Sequence, residues 1–266
     1  MPFPDLSLKS RLHAIRKLAT RSRSYLLITI RPDDMVSPRA GDHVIAPVLE
    51  RLEAALPAID AALDELAPWM QRARNSLGVL ADNPHFAGGD AEAAYAMVAA
   101  LRPARILEVG GGNSTHIMRQ AARDSGLQLQ ITSIDPAPRR EIADVADLVI
   151  PSSVLEVSAG EIADGLQAND VLFIDGSHYA FNGTDVPYLF LEVLPRLKPG
   201  VVVHVHDIML PYEYDELFSA RNYNEQYVLA ALLLGGADWE PLLPVHWLSR
   251  AGRMSHGSSF WMRRAG

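Results

Sequence analysis

The chain has 266 residues, of which 48% are hydrophobic and 21% charged, so it is long enough to bury a large core and has an ordinary globular composition. Its formal net charge of −8 disfavours nucleic acid as a partner held by overall charge, and the absence of cysteine excludes disulfides and thiolate chemistry. The start of the chain lacks the pattern of a signal peptide, and the apolar stretches are too short to span a bilayer. We therefore expect a cytoplasmic enzyme.

The first 31 residues are basic, with seven Lys or Arg and a single acid, Asp5. Apolar residues from Leu8 to Leu18 recur at helical spacing, which predicts an amphipathic helix with a basic face. We interpret this helix as one that docks on its own domain or on a subunit partner, which would make the protein a homo-oligomer. The alternative is a peripheral contact with an acidic surface or an anionic substrate.

Residues 44–77 have a helical pattern that Pro57 and Pro68 interrupt. We take residues 1–82 as a basic, helical N-terminal extension and residues 83–266 as the main domain. Asp90 is predicted to be the N-cap of a helix over residues 91–101, because its short acidic side chain can accept the free N–H groups of a first helical turn.

Strands and helices alternate after Pro103. A strand that ends at the glycine loop is followed by predicted strands at 127–134, 148–150, 171–174 and 201–206, and by predicted helices at 116–125, 139–143, 159–166, 185–197 and 224–234. Two strand-like runs, at 241–248 and 258–263, suggest an antiparallel pair. Because the internal strands are almost continuously apolar, the pattern predicts an α/β fold with a doubly wound, mostly parallel sheet covered on both faces.

A glycine-rich stretch, ILEVGGGNST at residues 106–115, follows the first of these strands. Glycines 110, 111 and 112 allow a tight strand-to-helix turn and a close approach of a ligand to the backbone. A helix beginning at Asn113 or Ser114 would point its free N–H groups at that ligand. The stretch therefore predicts a loop for a nucleotide-type cofactor.

Four strands carry an acid at their carboxyl ends: Glu108, Asp135, Asp175 and Asp207. Asp135 lies about 20 residues beyond the glycines, where a carboxylate can accept both ribose hydroxyls; its alternative role is a turn or helix N-cap before Pro136. Glu108 suits the ammonium end of a cationic ligand better than a pyrophosphate. This favours S-adenosylmethionine over NAD.

Five segments together resemble the class I S-adenosylmethionine-dependent methyltransferases: ILEVGGGNST, SIDP at 133–136, VLFIDGSH at 171–178, LKPGVVVHVHD at 197–207 and SSFWMRR near the C-terminus. The Gly-x-Gly-Asn-Ser-Thr pattern is most similar to the branch of macrocin-type and other small-molecule O-methyltransferases. The resemblance covers about residues 83–264. It implies a Rossmann-like sheet of seven strands with the last strand antiparallel.

The same resemblance implies roles for single residues. The methionine part of the cofactor would lie against Gly110, Gly111, Gly112, Asn113 and Ser114, together with Glu108 and Asp175. The ribose would be held by Asp135 and Pro136, and the adenine would lie near Ser153.

Metal-dependent relatives bind Mg²⁺ through carboxylates at the positions of Asp175 and Asp207, so the resemblance also implies a magnesium site. The chain departs from the pattern at Ile208, where some relatives carry a further ligand, and the third oxygen would have to come from Glu213 or Asp215. The alternative is that both aspartates contact cofactor or substrate without a metal.

His178 follows Asp175 by three residues at the mouth of the expected cleft. An imidazole that titrates near neutrality suits the removal of a proton from a hydroxyl, so we predict His178 as the general base. The alternative is a capping or structural histidine. His204 and His206 share one strand face and are interpreted as structural. The aromatic-rich loop at residues 208–223 is expected to cover substrate, or else to form an oligomer contact.

These observations predict an enzyme that transfers a methyl group from S-adenosylmethionine to a hydroxyl of a small molecule, such as a sugar or secondary metabolite. His178 would accept the proton, and Asp175 and Asp207 would position the acceptor. Two alternatives stay open: an NAD-dependent oxidoreductase, and a non-catalytic binding or assembly module on the methyltransferase fold. The residues do not exclude nitrogen as the acceptor atom.

Overall fold

The computed structural model describes residues 41–266, which form one compact unit. The basic helix expected in residues 1–31 lies outside the described residues. The division of the chain between residues 82 and 83 stays a prediction. None of the helices in residues 41–266 is both long and apolar enough to cross a membrane.

Seven strands form a single sheet: β1 Arg105–Val109, β2 Gln130–Ile134, β3 Leu148–Ile150, β4 Val171–Ile174, β5 Val202–Val205, β6 Trp239–Pro244 and β7 Phe260–Arg264. Their spatial order is β3-β2-β1-β4-β5-β7-β6. The first five in this order are parallel, and β7 runs antiparallel to both β5 and β6. This confirms the predicted doubly wound sheet with an antiparallel last strand.

Nine helices surround this sheet in residues 41–266: α1 Ala46–Ala54, α2 Leu56–Ser76, α3 Gly88–Leu101, α4 Asn113–Asp124, α5 Ala159–Asp164, α6 Asp185–Tyr188, α7 Glu216–Ala220, α8 Glu225–Leu234 and α9 Val245–Arg250. Every residue of β4 and β5 is buried, because helices cover both faces of the sheet. Helices α2, α3 and α4 pack in sequence on one face, and α5, α6 and α8 contribute to the core on the other.

Two predicted helices are not continuous in the structure. Residues 139–143 are irregular. The helix expected over residues 185–197 is α-helical only in α6 and continues as a π-helical turn, Leu189–Val193, and a 3₁₀ turn, Leu194–Arg196. Pro195 lies in that last turn and has no N–H to donate, which explains why the regular α-helical ladder does not reach the end.

The predicted strand over residues 241–248 is also wrong in its second half. The strand β6 ends at Pro244, and Val245 begins α9, which buries Val245, His246 and Leu248. Pro244 has no N–H to donate to a neighbouring strand, so a strand is readily ended at this residue. The antiparallel pairing of the two C-terminal strands is confirmed.

Candidate functional site

A cavity of about 450 Å³ lies at the carboxyl edge of the parallel strands. Its wall is formed by the ends of β1, β2 and β4 and the loops that follow them: Val109, Gly110, Gly111, Ile134, Asp135, Pro136, Ala137, Arg139, Ser153, Val154, Asp175, Gly176, Ser177, Thr184 and Asp185. This is the place where open α/β sheets bind ligands. Six of the residues predicted for the cofactor are among them.

Two glycines of the loop have close neighbours where a Cβ would stand, and at Gly110 the neighbour is backbone. Gly110 has φ of 89°, and a Cβ there would lie 1.9 Å from the backbone oxygen of Asp175. A Cβ on Gly111 would lie 2.5 Å from Oγ of Ser133. Both glycines line the cavity, so the loop brings bare backbone to its surface.

The other predicted cofactor residues support the loop from beneath and do not line the cavity. Glu108 is fully buried and accepts hydrogen bonds from the hydroxyls of Ser114 at 2.6 Å and Thr115 at 2.5 Å. The backbone N–H of Gly112 donates to Thr115 Oγ1. Asn113 donates to the carbonyl oxygens of Leu80 and Phe86, outside the loop.

Burial raises the pKa of Glu108 to about 7, and the hydrogen bonds from Ser114 and Thr115 offset only part of this rise. The nearby charge of Asp175 acts in the same direction as burial. In the structure, Glu108 is therefore a buried side chain that joins β1 to α4 through hydrogen bonds, whereas the sequence suggested a carboxylate facing the ligand.

Asp135 lies between the glycine loop and the turn that follows β2. Its carboxylate accepts the N–H of Gly111 at 2.9 Å and that of Ala137 at 2.7 Å. Because a carboxylate can accept about four hydrogen bonds, two backbone donors leave it able to accept hydroxyls from the cavity. Asp135 thus fixes the loop and faces the cavity at once.

Two histidines converge on the carboxylates of Asp175 and Asp207. Nε2 of His178 lies 3.4 Å from a carboxylate oxygen of each aspartate, and Nδ1 of His206 lies 3.5 Å from a carboxylate oxygen of each. Both histidine side chains are almost completely buried. The structural interpretation of His206 is thereby corrected, since period-two spacing gave its strand face but not its partners.

The backbone is left-handed at two of these residues, with φ of 64° at His178 and 55° at Asp207. This conformation is uncommon for residues other than glycine and is found disproportionately at functional sites. It turns the chain sharply just after β4 and β5, where the two side chains meet.

Each histidine contacts a third carboxylate through the other nitrogen of its ring. Nδ1 of His178 lies 3.0 Å from Oε2 of Glu225, the first residue of α8. Nε2 of His206 lies 3.4 Å from Oδ2 of Asp90, and Asp90 also accepts the N–H groups of Ser258 and Ser259. The prediction of Asp90 as an N-cap is therefore wrong, because α3 begins at Gly88. The buried carboxylate instead binds backbone N–H groups of the segment that leads into β7.

Burial alone would lower the pKa of His178, but hydrogen bonds and charge from Asp175 and Glu225 outweigh it and hold that pKa well above its usual value. For His206, burial is likewise outweighed, by the charges of Asp175 and Asp207 and by hydrogen bonds to Asp175 and Asp90, and the pKa is raised. Burial opposes ionisation of Asp175, yet the two histidines keep its pKa well below the usual range.

His204 has a different environment from its neighbour two residues on. Its ring stacks on Phe173 with centroids 3.7 Å apart, and Nε2 lies 3.0 Å from Oγ of Ser259. Burial and the charge of His206 lower its pKa well below the usual value. These contacts agree with the structural interpretation of His204.

Aromatic side chains from the loop at residues 208–223 cover the histidine site. The ring of Tyr223 packs on His178 with centroids 4.5 Å apart, and it contacts Tyr179, Tyr214 and Phe218 in turn. The prediction that this loop covers substrate, or else forms an oligomer contact, stays a prediction.

The side chains proposed as a third metal ligand are engaged elsewhere. Glu213 accepts the hydroxyl of Tyr227 at 2.6 Å, and Asp215 caps α7 by accepting the N–H of Phe218. Within residues 41–266, no group of three or more His, Cys, Asp or Glu side chains is placed to hold a metal ion.

Sequence reasoning missed Glu225, His206 and Asp90 as members of the site. Glu225 and Asp90 each begin or nearly begin a helix, where an acid is ordinarily explained by the helix dipole. One feature of the sequence could have distinguished Glu225 from an ordinary helix-start acid. It directly follows the aromatic loop, in the segment Tyr223-Asn224-Glu225.

Sequence comparison finds a family for the central part of the chain. Residues 107–208 match the profile of a family described as a methyltransferase domain. The matched segment runs from β1 to just past β5, so it contains the glycine loop, Asp135, Asp175, His178 and Asp207. The match supports the resemblance to S-adenosylmethionine-dependent methyltransferases over this segment. No curated protein matches the chain significantly.

Solved structures with a similar arrangement include an O-methyltransferase from Bacillus cereus in complex with S-adenosylhomocysteine, with 15% identity over 88% of this chain and 94% of that one and a TM-score of 0.44. The methyltransferase PaMTH1 of Podospora anserina, bound to S-adenosylhomocysteine, has 15% identity over 87% of this chain and 100% of that one, with a TM-score of 0.45. A putative caffeoyl-CoA O-methyltransferase from Staphylococcus aureus has 14% identity over 74% and 92%, with a TM-score of 0.44. At these values the likeness says nothing about the acceptor of this chain.

Proposed function

We propose that this protein transfers a methyl group from S-adenosylmethionine to a hydroxyl of a small molecule, in the manner of the macrocin-type O-methyltransferases whose Gly-x-Gly-Asn-Ser-Thr pattern it resembles. The observation that carries the proposal is the cavity of about 450 Å³ between the glycine loop, Asp135 and Asp175. A sugar or secondary metabolite is the proposed acceptor class. The composition and charge support a cytoplasmic enzyme without a nucleic-acid partner.

The residues around the cavity fit the cofactor. Gly110 and Gly111 line the cavity without a side chain, which suits close contact of their backbone with the methionine part. Asp135 and Pro136 are in position for the ribose, and Ser153 with Val154 for the adenine. Gly112, Asn113, Ser114 and Glu108 take part by holding the loop in place.

Charge favours this cofactor over NAD. Asp135 and Asp175 both line the cavity, and the histidines keep Asp175 ionised. A carboxylate beside the cofactor attracts a sulfonium and an ammonium group but repels a pyrophosphate. The cavity therefore supports the cationic methyl donor over a dinucleotide.

The bound cofactor supplies a methyl group on a positively charged sulfur; transfer to an acceptor oxygen forms the O–C bond, breaks the S–C bond and leaves S-adenosylhomocysteine. The chain contributes by holding the reacting groups in line. In this proposal Asp175 and Asp207 orient the acceptor, and Nε2 of His178 accepts the hydroxyl proton. Because His178 must first be neutral and its pKa is raised, the proposed activity increases toward alkaline pH.

Magnesium does not fit the donors present. A Mg²⁺ ion prefers six oxygen ligands in octahedral geometry. The carboxylates of Asp175 and Asp207 instead face two imidazoles, and Asp207 accepts the neutral hydroxyl of Ser258 at 3.3 Å. Within residues 41–266, no group of three or more His, Cys, Asp or Glu side chains is placed to hold a metal ion. We therefore assign no step of the proposed reaction to a metal.

The experiment is calorimetric titration of the full chain with S-adenosylmethionine, S-adenosylhomocysteine and NAD. We expect binding of the first two with a stoichiometry of one and none of NAD. Asp135→Ala should weaken binding at least tenfold, through loss of charge-assisted hydrogen bonds, whereas Asp144→Ala, an exposed acid beyond the cavity, should not. Absence of binding at millimolar cofactor would refute the proposal.

A second experiment tests the acceptor atom. The protein is incubated with S-adenosylmethionine carrying a labelled methyl group and with panels of hydroxylated and of amine-bearing small molecules. Labelled methyl ethers support the proposal. Label on nitrogen alone would overturn the choice of oxygen while leaving the cofactor intact, and tight cofactor binding without any methylated product would favour the non-catalytic module.

A further inference from the structure

Glu225 is a buried acid outside the cavity and outside the matched methyltransferase domain. It is 1% exposed, and its Oε2 lies 3.0 Å from Nδ1 of His178. Its other oxygen, Oε1, is buried without a hydrogen-bond partner. Burying a carboxylate oxygen without a hydrogen-bond partner lowers the stability of the fold. A role of Glu225 in the site would explain why this carboxylate is nevertheless buried here.

The chain around Glu225 is tied to His178 by further hydrogen bonds. The N–H of Asn224 donates to the carbonyl oxygen of His178 at 3.1 Å, and the N–H of Ala180 donates to Oδ1 of Asn224 at 2.6 Å. The left-handed turn at His178 and the first turn of α8 are thus locked together. The imidazole is held at its backbone and at Nδ1, and only Nε2 faces the carboxylates of Asp175 and Asp207.

We propose that Glu225 is the positioning residue of His178: its carboxylate accepts the Nδ1 hydrogen and so directs Nε2 toward the acceptor. The role of Nε2 in this inference, as the atom that accepts a proton from the acceptor, rests on the proposed function. In the neutral imidazole only one nitrogen carries the hydrogen, and the group bound at Nδ1 decides which. When Nε2 accepts the acceptor proton, Glu225 stabilises the resulting imidazolium at the other side of the ring.

The chemistry assigns no covalent role to Glu225. The acceptor O–H bond breaks, the proton goes to Nε2 of His178, and the electron pair of the oxygen forms the new bond to carbon. Glu225 keeps its hydrogen bond throughout. Its removal should therefore leave the cofactor site intact and disturb the tautomer and the ring orientation of His178.

The test is nuclear magnetic resonance of the histidine rings in the full chain, with nitrogen-15 labelling and long-range proton–nitrogen correlation. His178→Gln identifies the His178 signals. The spectra are recorded at an alkaline pH at which His178 is neutral, where we expect the wild type to carry its single ring hydrogen on Nδ1, with a strongly downfield signal from that proton. Glu225→Ala should lose this signal and mix the tautomers, and Glu225→Gln should retain the Nδ1 hydrogen with a smaller downfield shift.

Glu216→Gln is the matched control, because Glu216 is also the first residue of a helix but is exposed and makes no contact with His178. Thermal unfolding and S-adenosylhomocysteine titration of each variant establish that the fold and the cofactor cavity persist. If Glu225→Ala and Glu225→Gln both leave the His178 signals unchanged, the inference is wrong. If the wild type shows the signal but binds no cofactor, the proposed function fails while the positioning contact stands.

Discussion

The two halves of the cleft are built in different ways. The half proposed to hold the cofactor (the cofactor half) comes from strand ends and the turns directly after them, so Gly110, Gly111, Asp135 and Asp175 lie in positions that a strand–helix alternation already specifies. The half proposed to hold the acceptor (the acceptor half) joins His178 and His206 to Glu225 and to Asp90, which are far apart in the chain. Local sequence therefore determines the first half, and tertiary packing determines the second.

The largest expected effect tests whether the cofactor half depends on one glycine. Gly110→Ala would place a Cβ 1.9 Å from a backbone oxygen at φ of 89°, so we expect loss of cofactor binding and a fall of about 3 kcal/mol or more in the free energy of unfolding. Urea denaturation and calorimetry measure both.

Gly126→Ala is the control for that change. Gly126 has a similar backbone, with φ of 62°, but open space where the Cβ would stand. It should cost about 1 kcal/mol, from the left-handed conformation alone, and leave binding unchanged. Equal effects of the two substitutions would show that the close approach at Gly110 is unimportant.

The next effect separates the two halves. His178→Gln should slow methyl transfer by roughly 10²- to 10⁴-fold, the usual contribution of a general base, while the affinity for S-adenosylhomocysteine stays within twofold. Turnover with an identified acceptor and calorimetry are the measurements. His116→Gln, on α4 and away from the cleft, should change neither. A parallel loss of cofactor affinity in the His178 variant would contradict the division into halves.

Glu108 gives a pH-dependent prediction for the cofactor half. Its pKa is about 7 in the folded chain against an ordinary 4.5, so the folded state binds more protons between these values, and stability falls as the pH rises through them. The full loss corresponds to roughly 3 kcal/mol. Urea denaturation from pH 4 to pH 8 should show this slope in the wild type and a flatter one in Glu108→Gln.

The opposite slope would contradict the burial argument, since a depressed pKa makes a carboxyl stabilise the fold as the pH rises. Glu141→Gln, at an exposed position outside the core, serves as the control and should keep the slope of the wild type.

The smallest expected effect concerns metal. Chelation with EDTA should leave cofactor affinity and methyl transfer within twofold of their starting values, because the carboxylates of Asp175 and Asp207 face two imidazoles and the neutral hydroxyl of Ser258. Elemental analysis of the purified protein accompanies the assay. One tightly held metal ion per chain, with loss of activity on its removal, would contradict the prediction and make His178 and His206 ligands.

The sequence was sufficient for the sheet, because apolar strand runs, glycine and proline positions and the resemblance all agree on the same topology. It was insufficient where the position of a side chain depends on contacts with residues distant in the chain. Asp90 has the sequence signature of a cap, and only the approach of Ser258 and Ser259 explains its burial. His206 and His204 lie two residues apart on one strand, yet His206 contacts three carboxylate oxygens and His204 stacks on an aromatic ring.

The glycine loop shows the same limit within the half that was predicted well. Its position and its need for Gly110 follow from sequence, whereas the inward turn of Glu108 does not, because a strand residue can face either side of its sheet. Hydroxyls of Ser114 and Thr115 meet that carboxylate from the following helix.

The contact of Asp90 with Ser258 and Ser259 has a consequence for the order in which the cleft comes into being. Domains begin to fold while the chain is still being synthesised from its N-terminus. The glycine loop, Asp135 and Asp175 are all present once residue 208 has emerged, whereas Glu225 comes later and the N–H groups that anchor Asp90 come at residues 258 and 259. On the ribosome, the nascent protein thus has the residues proposed for the methyl donor well before those that complete the proposed acceptor half.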